Sequence, residues 1–416
     1  MRGLRVGIVG CGTAGPTTAL LLSRAGHQVT LFERVPNPGP VGAGIVLQPS
    51  GMSVLARLGL LEPVLAKGAR IDELLAETST RRRVVHLRYR DLAPGIFGLG
   101  LHRGVLFETL FNAVKATPSI TLKLGVEVRS VERPGGDTVE LAAADGARHG
   151  PFDLIVVCDG ARSHLYDVRM PERRVTKYPW GALWYVARGV PGVSRRLYQV
   201  VRGTRRLLGL LPTGQAPGSA EPVASLFWSI RIAEVDAFRS GDFGAWKREV
   251  LSYMSEAAPV LEQLHGPRDL LVSEYHDVVM SRWHGDRVVW LGDAAHATSP
   301  QLGQGCNLAL IDSAVLADCL EDHEVLSDAL HGYTRRRRAH LGYYQFATRW
   351  LTPFFQSDLT WLGPVRDALF GFTTTLGPFR RQMLLGMAGI HRGLSSPMAL
   401  PALPATVQPN GPTGEV

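Results

Sequence analysis

Residues 4–33 read LRVGIVGCGTAGPTTALLLSRAGHQVTLFE. A short apolar run enters Gly10-Cys11-Gly12-Thr13-Ala14-Gly15, a small apolar helical run follows, Gly26 closes it, and Gln28 to Phe32 reads as a second strand ending on Glu33. Strand, glycine turn, helix and strand within about thirty residues is the unit that binds dinucleotides. Gly10 lets the chain turn sharply, Gly12 lets backbone approach a pyrophosphate, and Gly15 lets helix and strand lie close. The helix start offers unpaired N–H groups and a partial positive charge to phosphate. Glu33 ends the second strand, where a carboxylate can accept both hydroxyls of an adenosine ribose. The competing reading is a glycine-rich turn with no ligand, which leaves the flanking strands and the acid without a purpose.

The chain has 416 residues, 45% of them apolar, enough for two or three domains with a large core. Net charge is +8. The basic residues are scattered except for Arg81-Arg82-Arg83 and Arg335 to Arg338, which read as a solvated strand end and a solvated helix face. Nucleic acid is therefore not an expected partner, and the surplus charge at most draws in anionic substrates or a phosphorylated coenzyme. The four cysteines, Cys11, Cys158, Cys306 and Cys319, form no CxxC pair, and no histidine cluster has metal spacing. No metal site or disulfide frame is expected. The N-terminus lacks the regions of a signal peptide, and no run of about eighteen apolar residues occurs. A cytoplasmic protein, monomer or homodimer, is expected.

The loop VPNPGPVGAGIVLQPSG follows Arg34, and Met52 to Leu61 reads as a helix. Residues 71–91 alternate as strands do, and 104–116 have helical spacing. ITLKLGVEVRSVER and TVELAAAD read as a hairpin joined at Gly135-Gly136. Phe152 to Cys158 is a continuous apolar run, as in a strand buried on both faces, and it ends in Asp159-Gly160. Residues 175–232 read as short antiparallel strands, and 243–265 as helix. A third buried run at 287–291 ends in Gly292-Asp293-Ala294-Ala295-His296, followed by ATSPQLGQGCN and a helix from about Leu308 to Leu320. The expected class is α/β. A Rossmann-like FAD-binding domain (1–75, 96–174 and 270–325) is interrupted by an antiparallel substrate domain (76–95 and 175–269), and C-terminal helices (326–393) lead to a disordered tail (394–416). Ligand sites in such folds lie at strand carboxyl ends and between domains.

Together these motifs resemble the single-component flavoprotein aromatic hydroxylases, the p-hydroxybenzoate hydroxylase-like family. The marks are Gly10, Gly12, Gly15 and Glu33; Asp159-Gly160 within CDGARSHL; and Gly292-Asp293 with Pro300, Gly303-Gln304-Gly305 and Asn307. Arg103 matches a family arginine. The resemblance spans roughly residues 1–340. One departure stands at Tyr166, where the family usually has arginine.

The resemblance implies FAD along Gly10, Gly12, Thr13, Ala14, Gly15, Glu33, Arg34, Gly44, Arg103, Val128, Asp159, Gly292, Asp293, Pro300, Gly303, Gly305, Cys306 and Asn307. Within that set, Arg34 and Val128 would contact adenine, Gly44 would face the ring system, and the Gly303–Asn307 turn would face the flavin N1 and C2 carbonyl edge. Asp293 follows a buried run, so its carboxylate needs a partner, which ribityl hydroxyls supply; the competing role is a helix N-cap. Cys11 and Cys306 read as small fillers, and His296 as structural. Trp184, Phe227 and Trp228 are candidate substrate-facing residues, with ordinary sheet core as the competing reading. No catalytic residue is identified. The implied reaction is monooxygenation: NADPH or NADH, bound transiently, reduces the flavin, a C4a-hydroperoxide forms from O₂, and one oxygen passes to a small aromatic substrate. An epoxidase, an oxidase or a halogenase shares the fold, though the Trp-x-Trp-x-Ile-Pro signature of halogenases is absent. A carrier of the GDP-dissociation-inhibitor type is the non-enzymatic alternative.

Overall fold

The computed structural model describes residues 1–133, 137–165, 172–190, 195–393 and 398. The Gly135-Gly136 turn, Tyr166 and all of the 394–416 tail except Met398 lie outside the described residues. The first strand, Arg5–Val9, is the middle of a five-stranded parallel sheet. Its order is Val288–Trp290, Leu154–Val157, Arg5–Val9, Gln28–Glu33, Ile120–Leu124. Later strands therefore add outward on both sides of the first, and the order reverses between Arg5–Val9 and Leu154–Val157. A crevice opens at such a reversal, beyond the carboxyl ends of the strands.

The dinucleotide helix, Ala14–Arg24, is buried over its first nine residues, consistent with its lack of charge before Arg24. Pro16 is tolerated because first-turn N–H groups have no intrahelical partner. Gly10 has φ +101, and an added Cβ there would lie 2.6 Å from the Cys158 carbonyl oxygen. A Cβ on Gly15 would lie 1.9 Å from the Gly10 carbonyl oxygen, so the helix lies this close to the strand end only because Gly15 has no side chain.

The second large unit is a seven-stranded sheet of order Leu271–Met280, Arg173–Arg188, Pro222–Arg231, Arg206–Gln215, Arg196–Arg202, Glu73–Thr78, Arg83–Arg88. Its neighbours are antiparallel except Arg196–Arg202 against Glu73–Thr78. These are long strands, not the short ones expected; Arg173–Arg188 runs 16 residues. Two domain boundaries also depart from the expectation. Glu73–Thr78 is one strand of this sheet and crosses the 75/76 limit. Leu271–Met280, expected in the FAD-binding domain, is hydrogen-bonded along Arg173–Arg188. Ser273, Glu274, His276 and Asp277 interrupt its apolar residues, so it shows neither a continuous buried run nor a clean alternation. The expected 120–133 strand divides, with Ile120–Leu124 completing the parallel sheet and Val128–Glu132 starting a three-stranded antiparallel sheet.

Three helices, Leu326–Phe355, Leu362–Thr373 and Gly377–Met387, follow the helix Gly305–Asp322. The basic run on the first of them is not wholly solvated, since Arg337 is 1% exposed. A helix turns 3.6 residues per revolution, so four consecutive arginines cannot all face water on a packed helix. Among the described residues no helix is long and apolar enough to cross a membrane, and no group of acidic, histidine or cysteine side chains has metal-site geometry.

Candidate active site

The crevice at the strand-order reversal is one end of a continuous trough of about 2160 Å³. Typical small-molecule sites hold ~300–1,000 Å³, so there is room for a cofactor and a second molecule. Gly10, Gly12, Thr13, Ala14, Glu33, Arg34 and Val128 line one end. Asp159, Gly292 and Asp293 line the middle with Arg103, Gly44, Pro300, Gly303, Gly305 and Cys306, and the inner face of the seven-stranded sheet closes the far end. Residues up to 296 positions apart in the chain thus share one wall.

Several details fit an extended dinucleotide. A Cβ on Gly12 would meet no protein atom within 4 Å, so the trough is open directly above this backbone. Glu33 is held ready: its Oε2 accepts from the Cys11 N–H at 2.9 Å and its Oε1 from the Val35 N–H at 2.9 Å. Each oxygen keeps a lone pair for a hydroxyl. The Asp293 carboxylate is exposed to the trough and has no hydrogen-bond partner among the described residues. It is therefore neither buried, as its place after an apolar run suggested, nor an N-cap; that position belongs to Gly292, with φ 60 and ψ −142. Asp159 also opens onto the trough, and its recession from bulk solvent raises its carboxyl above the ordinary range.

Three expected contacts are corrected. Asn307 does not line the trough, because its side chain is used up inside the protein. Its Oδ1 accepts from the Gln48 N–H at 2.8 Å, and its Nδ2 donates to the Val46 and Gly303 carbonyls at 3.0 and 3.3 Å. It braces the Gly44 strand against the Gly303 turn, while its first-turn backbone N–H lacks an intrahelical partner. Gly15 likewise packs inside and does not reach the trough. Trp228 faces away from it. Side chains alternate across a strand, so Phe227 points into the trough and Trp228 to the other side. There Trp228 stacks on Tyr253 with ring centroids 6.0 Å apart and meets the edge of Trp246 at 6.1 Å. Trp184 pairs with Phe227 in register, their rings 5.0 Å apart, and both line the trough.

Some positioning groups escaped the sequence reading. Asp312 is fully buried; its Oδ2 accepts from the Gly292 N–H at 2.8 Å and from His296 Nε2 at 2.5 Å, and its Oδ1 accepts from Arg337 Nε at 2.7 Å. His296 is thus structural, as expected. Burial alone would raise the Asp312 carboxyl, but His296, Arg337 and the Gly292 N–H outweigh it and bring it to about 2. Arg337 also donates to His340 Nδ1 at 2.5 Å. Since arginine cannot accept, His340 donates from Nε2 to the Gly389 carbonyl at 3.0 Å. Burial, with Arg337 next, keeps this imidazole well below its usual pKa. A lone aspartate inside LALIDSAVL was the available signal. Arg173 is the second miss: its guanidinium donates to the carbonyls of Ala161, Ser163 and Ala294, clamping the Asp-Gly and Gly-Asp segments together. Cys306 lies 3.9 Å from Thr13 Oγ1, and burial raises its thiol to about 11, so it is a filler and not a nucleophile.

A reversed parallel sheet with a glycine-rich helix start, opening into a trough walled by a second sheet, defines an enzyme that holds a dinucleotide beside a substrate. The family model described as FAD binding domain matches residues 4–342, and the chain belongs to that family. It is 31% identical to 3-amino-4-hydroxybenzoate 2-monooxygenase of Streptomyces cremeus, over 77% of this chain and 79% of the relative. It is 30% identical to kynurenine 3-monooxygenase of Salinispora tropica, over 81% and 77%. The crystal structure of pqsL, a probable FAD-dependent monooxygenase from Pseudomonas aeruginosa, superposes with a TM-score of 0.75 at 24% identity, covering 89% of this chain and 99% of that one. The protein is an FAD-dependent monooxygenase.

Asp293→Ala is expected to yield protein largely free of FAD. Losing a charged acceptor costs about 1.5–3 kcal/mol, or roughly 10- to 150-fold in affinity. Flavin absorbance per chain after purification measures it, and a fully yellow variant would remove Asp293 from the cofactor site.

Proposed function

We propose that the protein uses NADPH or NADH and O₂ to hydroxylate a small aromatic molecule held between the cofactor and the inner face of the seven-stranded sheet. The observation that carries this is one trough joining the glycine turn to Trp184 and Phe227. In this reading Glu33 takes the adenosine ribose, Arg34 and Val128 flank adenine, and the Ala14 helix start takes the pyrophosphate with Arg103 nearby. Asp159 and Asp293 accept from the chain that links pyrophosphate to the ring. Gly44, Pro300 and the Gly303–Cys306 turn surround the ring. Bound FAD supplies the electron transfer and oxygen activation.

This chain's own residues orient, exclude water and stabilise charge. The N–H groups at the start of Gly305–Asp322 offer about 0.3–1 kcal/mol to negative charge on the ring edge, up to ~2 when partly buried. Apolar side chains on the inner sheet face, such as Leu211 and Phe227, disfavour water beside the ring. Trp184 and Phe227 offer ring faces on which an aromatic substrate can stack. The reductant visits without a nucleotide fold of its own, since the chain carries no second GxGxxG. The free thiols support a reducing, cytoplasmic setting.

The test is NADH and NADPH oxidation by the yellow protein across phenols, fused-ring aromatics and indoles, with product mass. Substrate-stimulated oxidation with a gain of one oxygen is expected; oxidation that yields only hydrogen peroxide for every compound would count against hydroxylation. Phe227→Ala is expected to raise KM at least several-fold while the fold persists. Trp228→Ala should instead cost about 3–5 kcal/mol of stability, because it empties a packed core site. Equal effects of the two on KM would contradict the assignment of opposite faces.

A further inference from the structure

The substrate end of the trough has a composition that selects among aromatic molecules, an inference that rests on the monooxygenase reading. On the sheet side Leu74, Val85, Leu87, Leu197, Leu211 and Phe227 face inward. From the C-terminal helices come Leu351, Phe354, Phe355, Phe370, Met383 and Met387. The polar groups among them are neutral, such as Gln199, Ser229 and Gln382. Among the described residues no lysine or arginine lines this end. The lining arginines lie elsewhere: Arg34 and Arg129 at the nucleotide end, Arg162 beside the Asp159 turn, and Arg103 beside Cys306, which is itself 3.9 Å from Thr13.

The remaining ionisable groups do not change this. Glu274 lies on the edge strand and is paired with Lys177 at 2.9 Å; His276 shares that strand. His391 bonds Gln382 Oε1 through Nε2 at 2.5 Å and stacks on Tyr343. Burial lowers its pKa, which favours the neutral imidazole. A carboxylate carried into this space would shed its water and find no unengaged cation among the described residues that line it. Arg366, 5.3 Å behind the Phe355 ring, is paired with Asp367, and Arg349 with Asp277. An uncharged apolar ring or chain loses nothing comparable and gains from leaving water.

The far wall is also open and aromatic. Phe346, Trp350 and Phe379 line the same trough yet are 67%, 51% and 59% exposed. Exposed apolar side chains continuous with a cavity are suited to cover by the apolar part of a ligand that fills it.

The geometry points to an uncharged aromatic substrate with an apolar extension, either further fused rings or an alkyl chain, whose far end lies against Phe346, Trp350 and Phe379. A small aromatic acid recognised through its carboxylate is excluded by the same lining. Relatives named for a benzoate thus need not share a substrate class with this protein.

The experiment titrates the FAD-loaded enzyme, without reductant, with matched probes, and reads the shift of the flavin absorption band. The pairs are 2-naphthol with 3-hydroxy-2-naphthoate, and 4-hexylphenol with phenol. The naphthol is expected to bind at least ~10-fold more tightly than the naphthoate. Hexylphenol is expected to exceed phenol by at least as much, since each buried methylene is worth about 0.8 kcal/mol, or roughly fourfold. Gln199→Arg places a cation on the inner face and should move the naphthoate to within a few-fold of the naphthol. The inference is overturned if the naphthoate binds wild type as well as the naphthol, or if the added arginine leaves the preference unchanged. Loss of the alkyl effect overturns the role of the aromatic rim. Oxygen insertion is read separately, by product mass after NADPH is added. A naphthoate that binds tightly and is hydroxylated sinks this inference and leaves the monooxygenase intact. Tight naphthol binding with no oxygenated product upholds the lining argument and counts against hydroxylation.

Discussion

Replacing Asp312 with alanine is expected to cost about 3–5 kcal/mol of folding stability, the range seen when one partner of a buried ion pair is removed. The side chain is fully buried and holds Arg337, which is 1% exposed, together with His296 and the Gly292 N–H. Without it the guanidinium stays inside with no counter-charge and two donors go unmet. Asp312→Asn should recover part of the loss, because it keeps the volume and one acceptor. The effect has a pH signature. The folded carboxyl is brought to about 2, below its ordinary 3.8. Protonation of the unfolded chain therefore comes first as pH falls. The contribution is complete above the ordinary value and is lost as pH falls through about 2. Urea midpoints for wild type and Asp312→Ala should differ widely at neutral pH and converge in that acid window. A gap that does not narrow would mean that Asp312 acts only by filling space. Because Asp312 also accepts from Gly292, next to Asp293, the alanine variant should release FAD more readily than its unfolding alone explains.

Gly12→Val is expected to give a folded, colourless protein. The new Cβ would meet no protein atom within 4 Å, so the fold has no reason to weaken. It would occupy the space where a pyrophosphate must approach backbone, and forcing such an overlap costs about 1–3 kcal/mol or more, roughly 5- to 150-fold in affinity. Gly15→Val is the contrasting control. Its Cβ would stand 1.9 Å from a backbone oxygen, so that variant should lose stability with or without cofactor. Thermal midpoints of the apo forms and flavin content separate the two outcomes. A fully loaded Gly12→Val protein would place the cofactor elsewhere.

Gly12 lies in a motif visible in the chain, whereas Asp312 does not, and the reason such motifs are legible is local. A glycine turn, an acid at a strand end and a Gly-Asp pair after a buried run each need particular residues at fixed short spacing. Most of the residues expected to hold the cofactor line one trough. Where the reading failed, the deciding contact was distant. Asn307 faces Gln48 across 259 positions, so its side chain braces a loop instead of lining the trough. Leu271–Met280 joined the large sheet because Arg173–Arg188 was long enough to pair with it, not because of its own pattern.

The parallel sheet, the cofactor class and most of the segments that line the trough were legible in the chain alone, because backbone geometry and phosphate chemistry restrict those positions to few residue types. It took long-range packing to settle which of Phe227 and Trp228 faces the trough and which of four arginines goes inside to Asp312. Any arginine in that run satisfies the helix equally, and either aromatic satisfies the strand. The choice rests on what packs against each face, and long-range packing leaves no mark at short spacing.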